Sequence, residues 1–314
     1  MTEARGFWTI APGQGEIRRE TLWPQPGHIR VRTLASGISR GTESLVFAGR
    51  VPESQYATMR APLMGGDFPF PVKYGYSAVG LTEELARVFV LHPHQDIFDA
   101  PAAMCIPVPD AVSNERAVLA ANMETALNIL WDAAPLAGER ILVIGAGVVG
   151  LLTAALCARI PAAKVTVVDI DPTRENLARR LGCDFAAPEH APDEQELMIH
   201  ASASEAGLRL ALAKAAFEAR IVEASWFGDR EPALPLGERF HARRLRIIAT
   251  QVGVIAPPMR GRRAYADRLA TALELLADPV YDALLDARVN FANMVAEMPR
   301  LLRGGLCHVI TYES

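Results

Sequence analysis

Residues 141–171 read ILVIGAGVVGLLTAALCARIPAAKVTVVDID, and the order of their parts decides the fold. An apolar, β-branched run meets Gly145, Gly147 and Gly150 in G-x-G-x-x-G spacing, a helical stretch follows, and a second β-branched run closes on Asp169, 24 residues after the first glycine. Strand, glycine turn, helix, strand and terminal acid together form the signature of a dinucleotide-binding βαβ unit. Gly145 permits the tight turn, Gly147 lets the backbone approach a pyrophosphate, and Gly150 lets the helix lie close to the strand. The helix start at Val148 and Val149 offers free N–H groups and a partial positive charge to the phosphates. Asp169 would accept both ribose hydroxyls of the adenosine half and repel a 2′-phosphate, which favours NAD(H) over NADP(H). Arg174, five residues on, would keep NADP(H) open; its alternative is a solvated helix residue.

Outward from this unit the texture differs on the two sides. The first 110 or so residues are rich in Gly and Pro, with short runs such as HIRVRTL and ARVFVL between turn signals, and read as a mostly β unit. From Asn114 the stretch NERAVLAANMETALNILWDAA has apolar residues at helical spacing and stops before Pro135 and Gly138. Strands are then expected at RILVIGA, KVTVVDI, ELMIHAS, ARIVEASWFG and LRIIATQVG, with helices at GLLTAALCARI and EAGLRLALAKAAF between them. That alternation predicts a doubly wound parallel sheet in an α/β fold. A Pro- and Arg-rich connection, VIAPPMRGRR, leads to a helix at AYADRLATALELLAD and a final strand at LCHVITY.

The bulk numbers exclude several function classes. A formal charge of −4 in 314 residues gives no electrostatic reason to expect nucleic acid or an anionic membrane as partner, which leaves a small molecule. Cys105, Cys157, Cys183 and Cys307 are scattered, form no C-x-x-C pair and read as small hydrophobes of a reducing compartment. The start, MTEARGFWTIAPGQGE, lacks the apolar core of an export signal. The longest apolar run, from Val148 to Ala158, is about half of the roughly 20 residues that span a bilayer. A cytoplasmic protein is expected.

A β-rich first unit, a central dinucleotide fold and a returning helix and strand resemble the medium-chain dehydrogenase/reductase superfamily, the zinc-type alcohol dehydrogenase-like proteins, over nearly the whole chain. SGISRGTESLVFAGRVP and FPFPVKYGYSAVG are closer to its zinc-less bacteriochlorophyllide dehydrogenase branch than to quinone reductases. The resemblance implies a GroES-like catalytic domain over residues 1–121 and 254–314, a Rossmann domain over 122–253, an active site in the cleft between them and a homodimer paired through LRIIATQVG. In zinc-dependent members a G-I-C-x-T-D turn supplies the first ligand; here Ser39 stands at the cysteine, with Gly41 inserted before Thr42 and Glu43. The histidine of the family's G-H-E turn is Tyr76, and the third ligand position falls near Ala121. Catalytic zinc needs about three N, S or O ligands; serine, tyrosine and alanine do not supply them, so no catalytic zinc is expected. A replacement set of His92 and His94 with Glu43 or Glu124 is the remaining metal reading.

Without a metal, a reacting carbonyl oxygen needs another acid. Tyr76 is the candidate, with Lys73 lowering its pKa, against the alternative of a packed aromatic with its hydroxyl satisfied. Thr42 would relay a proton and Glu43 orient the loop, unless they only bond within their turn; Ser39 is a further catalytic candidate beside them. Arg40 matches a position that holds the cofactor pyrophosphate in some relatives. His94 is a candidate for proton transfer or a structural histidine, and Glu124 faces the cofactor or caps a helix. The expected activity is hydride transfer between a nicotinamide and an alcohol or carbonyl substrate. The alternatives are an enone or quinone C=C reductase and a non-catalytic NAD(H)-binding sensor.

Overall fold

The computed structural model of the chain describes residues 1–237 and 239–313. Contacts divide it into two compact units, Met1–Ala121 with Leu269–Ser314, and Asn122–Arg268.

In the second unit six parallel strands lie in the order Asp184–Ala186, Lys164–Val168, Arg140–Ile144, Gln195–His200, Ala215–Glu223, Arg246–Ala249. Chain order reverses direction beside Arg140–Ile144, which places the sheet's switch point at the carboxyl end of that strand, where doubly wound sheets take their ligands. Leu142, Val143, Leu197, Met198, Ile221 and Val222 are buried, as strands covered on both faces must be. The five expected strands are present; the short Asp184–Ala186 strand has too little pattern to be read from the sequence. The helix expected at EAGLRLALAKAAF stops at Lys214, because Ala215 turns to an extended backbone and pairs with Gln195 in the sheet.

Residues 254–268 were expected with the first unit, and their contacts group them with the second. The cause is Arg268, whose buried guanidinium bonds Glu124 Oε1 (3.0 Å), Asn128 Oδ1 (2.7 Å) and the Val252 carbonyl (2.6 Å), while the Ala256 N–H donates to Asn128 Oδ1. Glu124 therefore neither caps a helix nor stands free. Burial pushes its carboxyl up and Arg268 opposes that.

The first unit is built on two sheets, antiparallel except where Leu285–Asn290 runs parallel to Cys307–Thr311. One runs Gln14–Leu22, Thr2–Ala11, Val72–Lys73, Gly65–Gly66; in the other the long His28–Ser39 strand pairs with Cys307–Thr311, Ala78–Thr82 and Ile97–Pro101. That strand extends past the Ile29–Leu34 run legible in the sequence and leads directly into the Arg40–Phe47 helix, where a turn was expected. Asn114–Ala133 forms two helices, Asn114–Ala117 and Ala120–Ala133, because i→i−3 bonds from Val118 and Leu119 tighten the chain between them. Cys157, Cys183 and Cys307 are buried free thiols, each pushed up to about 12 by desolvation. No helix among the described residues is long and apolar enough to cross a membrane.

Candidate functional site

The glycine turn of the second unit has the geometry its spacing requires. Gly145 sits at φ +110°, and a β-carbon there would meet the Ser202 backbone nitrogen at 2.8 Å. At Gly150 a β-carbon would fall 1.9 Å from the Gly145 carbonyl oxygen, so the helix can lie this close only without one. Gly147 is the N-cap of the Val148–Ala158 helix and faces open space; the first-turn N–H groups carried by Val148 and Val149 have no intrahelical acceptor. Asp169 Oδ2 accepts the Ala146 N–H at 2.6 Å and Oδ1 the Asp171 N–H at 2.9 Å. The carboxylate is thus fixed at the strand end with lone pairs to spare, since it has about four acceptor sites. Arg174 turns to Asp171, 3.2 Å away. These residues fit a pyrophosphate and a ribose.

One further pair lies in this region and escaped the sequence reading. In the last paired row of the sheet, Ile144, His200 and Glu223 are neighbours on adjacent strands. His200 Nδ1 is 2.7 Å from Glu223 Oε2, and its Nε2 is 2.7 Å from Ser202 Oγ. The available signal was a polar residue at the end of each of two apolar strands, MIH and IVE.

In the first unit the structure brings Ser39, Thr42 and Tyr76 together. The Tyr76 hydroxyl is 2.6 Å from Ser39 Oγ and 3.1 Å from Thr42 Oγ1. Tyr76 keeps part of its surface accessible. Desolvation nonetheless pushes its phenol up to about 12, with Glu43 and Cys307 adding to the rise and the bonds to Ser39 and Thr42 opposing it. The expected lowering by Lys73 does not occur: its ammonium is bound to Glu20 Oε2 at 2.6 Å and Gln95 Oε1 at 2.5 Å. Arg40 opens the Arg40–Phe47 helix on the same loop, half-buried.

Beneath this cluster lies a buried chain of polar groups. Glu43 Oε1 accepts the Ser39 N–H at 2.8 Å, and Glu43 Oε2 is 2.9 Å from His94 Nε2. His94 Nδ1 is 2.7 Å from Ser36 Oγ, which is 2.8 Å from the Tyr312 hydroxyl. Gly75, at φ +122°, makes room for the imidazole: a β-carbon there would come within 3.0 Å of His94 Cδ2. Ser36 and Tyr312 were not anticipated, because their partners are distant in sequence and each looks like an ordinary strand residue.

The zinc positions do not fit a metal, since Ser39 and Tyr76 bond each other and Ala121 has no donor side chain. His92 and His94 do not share a strand face either: they lie in the loop after Arg87–Val90, and the His92 ring stacks on Phe98 at 3.7 Å. Among the described residues no group of three or more His, Cys, Asp or Glu is placed to hold a metal ion.

No family model matches the chain. Across solved structures its fold recurs end to end. A short chain alcohol dehydrogenase from Escherichia coli complexed with NADH superposes at TM-score 0.80 with 17% identity, covering 99% of this chain and 100% of that one. The chain has the fold of the medium-chain dehydrogenase/reductases. A putative zinc-binding dehydrogenase of Sinorhizobium meliloti bound to NADP shows the same medium-chain fold, at TM-score 0.75 and 16% identity over 99% of this chain and 100% of its own. In sequence, L-threonine 3-dehydrogenase of Rhizobium etli is 34% identical over 122 residues, 37% of this chain and 34% of that protein. The match therefore spans about a third of the relative's length. The protein of that name from Pectobacterium carotovorum is 30% identical over 126 residues, 38% of this chain and 36% of its own.

Proposed function

We propose that the chain is an oxidoreductase that moves hydride between a nicotinamide and an alcohol or carbonyl substrate, with NAD(H) favoured over NADP(H) and without catalytic zinc. The observation that carries this reading is the glycine turn, where Gly150 is excluded from bearing any side chain while Gly147 opens on free space at a helix start. When bound, the nicotinamide supplies or accepts the hydride. The chain's own residues do the rest. Val148 and Val149 present N–H groups to phosphate, with Arg40 as a further phosphate contact. Asp169 receives ribose hydroxyls and disfavours a 2′-phosphate; Arg174 is occupied by Asp171 and does not compensate.

With its pKa near 12, Tyr76 is a phenol at neutral pH and acts as the acid that protonates a carbonyl oxygen. Ser39 and Thr42 hold that hydroxyl, and His94 with Glu43 holds Ser39. The ligand positions support the metal-free reading, since a phenol, a hydroxyl and a methyl group stand where zinc would need donors. A homodimer paired through Arg246–Ala249, the edge strand of the parallel sheet, and residence in the cytoplasm belong to the same reading.

The test begins with fluorescence titration of NADH and NADPH on protein of measured metal content. NADH is expected to bind at least tenfold more tightly, and Asp169→Ser to reduce that preference. A screen of ketones, aldehydes and enones follows, with Tyr76→Phe expected to lower kcat/KM for a carbonyl about 10²-fold or more at unchanged NADH affinity. Turnover of enones alone would replace the carbonyl reading with C=C reduction. Tight NADH binding with no turnover would leave the sensor, and stoichiometric zinc would overturn the metal-free mechanism.

A further inference from the structure

The buried chain beneath the Tyr76 cluster has an end at the surface. Glu43 is 3% exposed, His94 1% and Ser36 0%. Tyr312 differs: stacked on Phe291 at 4.8 Å, it keeps part of its surface accessible and is among the residues lining an open cleft of about 250 Å³, with Arg5, Arg32, Asp96 and Asn290. We propose that Tyr312, Ser36 and His94 form a proton relay that connects the buried Glu43 carboxylate to water in this cleft. The proposal stands whether or not the chain moves hydride, because every group in it belongs to the first unit and every link is a direct contact of 2.7–2.9 Å.

The chemistry balances in one direction and its reverse. Hydronium in the cleft gives a proton to the Tyr312 oxygen as the Tyr312 O–H proton passes to Ser36 Oγ. The Ser36 hydroxyl proton passes to His94 Nδ1, and the His94 Nε2 proton passes to Glu43 Oε2. Hydronium becomes water and the carboxylate becomes a carboxylic acid; passage back along the same path restores the starting tautomer. Tyr312 suits this role because burial, above all, pushes its phenol pKa up, so it hands protons on without resting as a phenolate. Glu43 also accepts the Ser39 N–H, so its charge state bears directly on the loop that holds Tyr76.

The test is hydrogen exchange at the His94 imidazole, followed by NMR on the full chain labelled with ¹⁵N-histidine, with the resonance assigned by its loss in His94→Gln. Tyr312→Phe keeps the stack on Phe291 and removes only the hydroxyl. Ser36→Ala breaks the next link. Both are expected to slow exchange of the His94 N–H with water at least tenfold, whereas mere loosening of the core would speed it. Unchanged or faster exchange in Tyr312→Phe overturns the relay, and so does slowing in Ser36→Ala without slowing in Tyr312→Phe. Should Ser36→Ala fail to fold, Tyr312→Phe decides alone.

Discussion

Single residues carry most of the proposed metal-free reading. Ser39 and Tyr76 were singled out from two short motifs, and in the structure their hydroxyls meet. The direction of the Tyr76 shift was not legible, because burial sets it and Lys73 points elsewhere. A lysine three residues away is near in sequence, yet Glu20, on the Gln14–Leu22 strand, and Gln95, in the segment before Ile97–Pro101, claim it. His92 illustrates the same limit with a measurable consequence. Desolvation lowers its pKa to about 3, and its Nδ1 is held by the Pro93 carbonyl at 2.9 Å. In the unfolded chain it binds a proton near pH 6.5, so between that value and about 3 only the unfolded state takes it up. Its contribution to stability is therefore intact above pH 6.5 and falls by about 1.4 kcal/mol per pH unit on acidification. His92→Leu should be less stable at pH 7 and lose less melting temperature between pH 6.5 and 4 than the parent, a comparison that thermal unfolding by circular dichroism makes directly.

At the scale of elements, the parallel sheet was the most legible part, because strands buried on both faces write continuous apolar runs into the sequence. The long His28–Ser39 strand and the helix after it were less so, since the sheet pairing that sustains them comes from residues as distant as Cys307–Thr311. The glycine turn separates folding from binding at two neighbouring sites. Gly150→Ala puts a β-carbon 1.9 Å from the Gly145 carbonyl oxygen, and the backbone shift needed should cost about 1–3 kcal/mol, as overpacking does. Gly147→Ala meets nothing within 4 Å and should melt within a few degrees of the parent while binding NADH at least tenfold more weakly. Melting curves and NADH titrations of the two variants should therefore rank them in opposite orders.

For the whole molecule, contacts divide the chain into Met1–Ala121 with Leu269–Ser314 and Asn122–Arg268. The division at Arg268 rests on a buried cation whose partners are not legible from sequence. Arg268 is 2% exposed and gathers Glu124, Asn128 and Val252 around it. Arg268→Met would leave Glu124 as an unpaired buried charge, a loss of about 3–5 kcal/mol, whereas adding Glu124→Leu should recover part of it; urea unfolding of the three proteins measures the difference. The buried cysteines give such experiments a clock. Thiolate is the form that alkylating reagents attack, and at neutral pH these groups are both enclosed and protonated. Alkylation at Cys307 can proceed only as fast as the first unit opens, and at Cys157 and Cys183 only as fast as the second does. Mass spectrometry of the modified peptides would thus time the breathing of each half separately, with no label introduced.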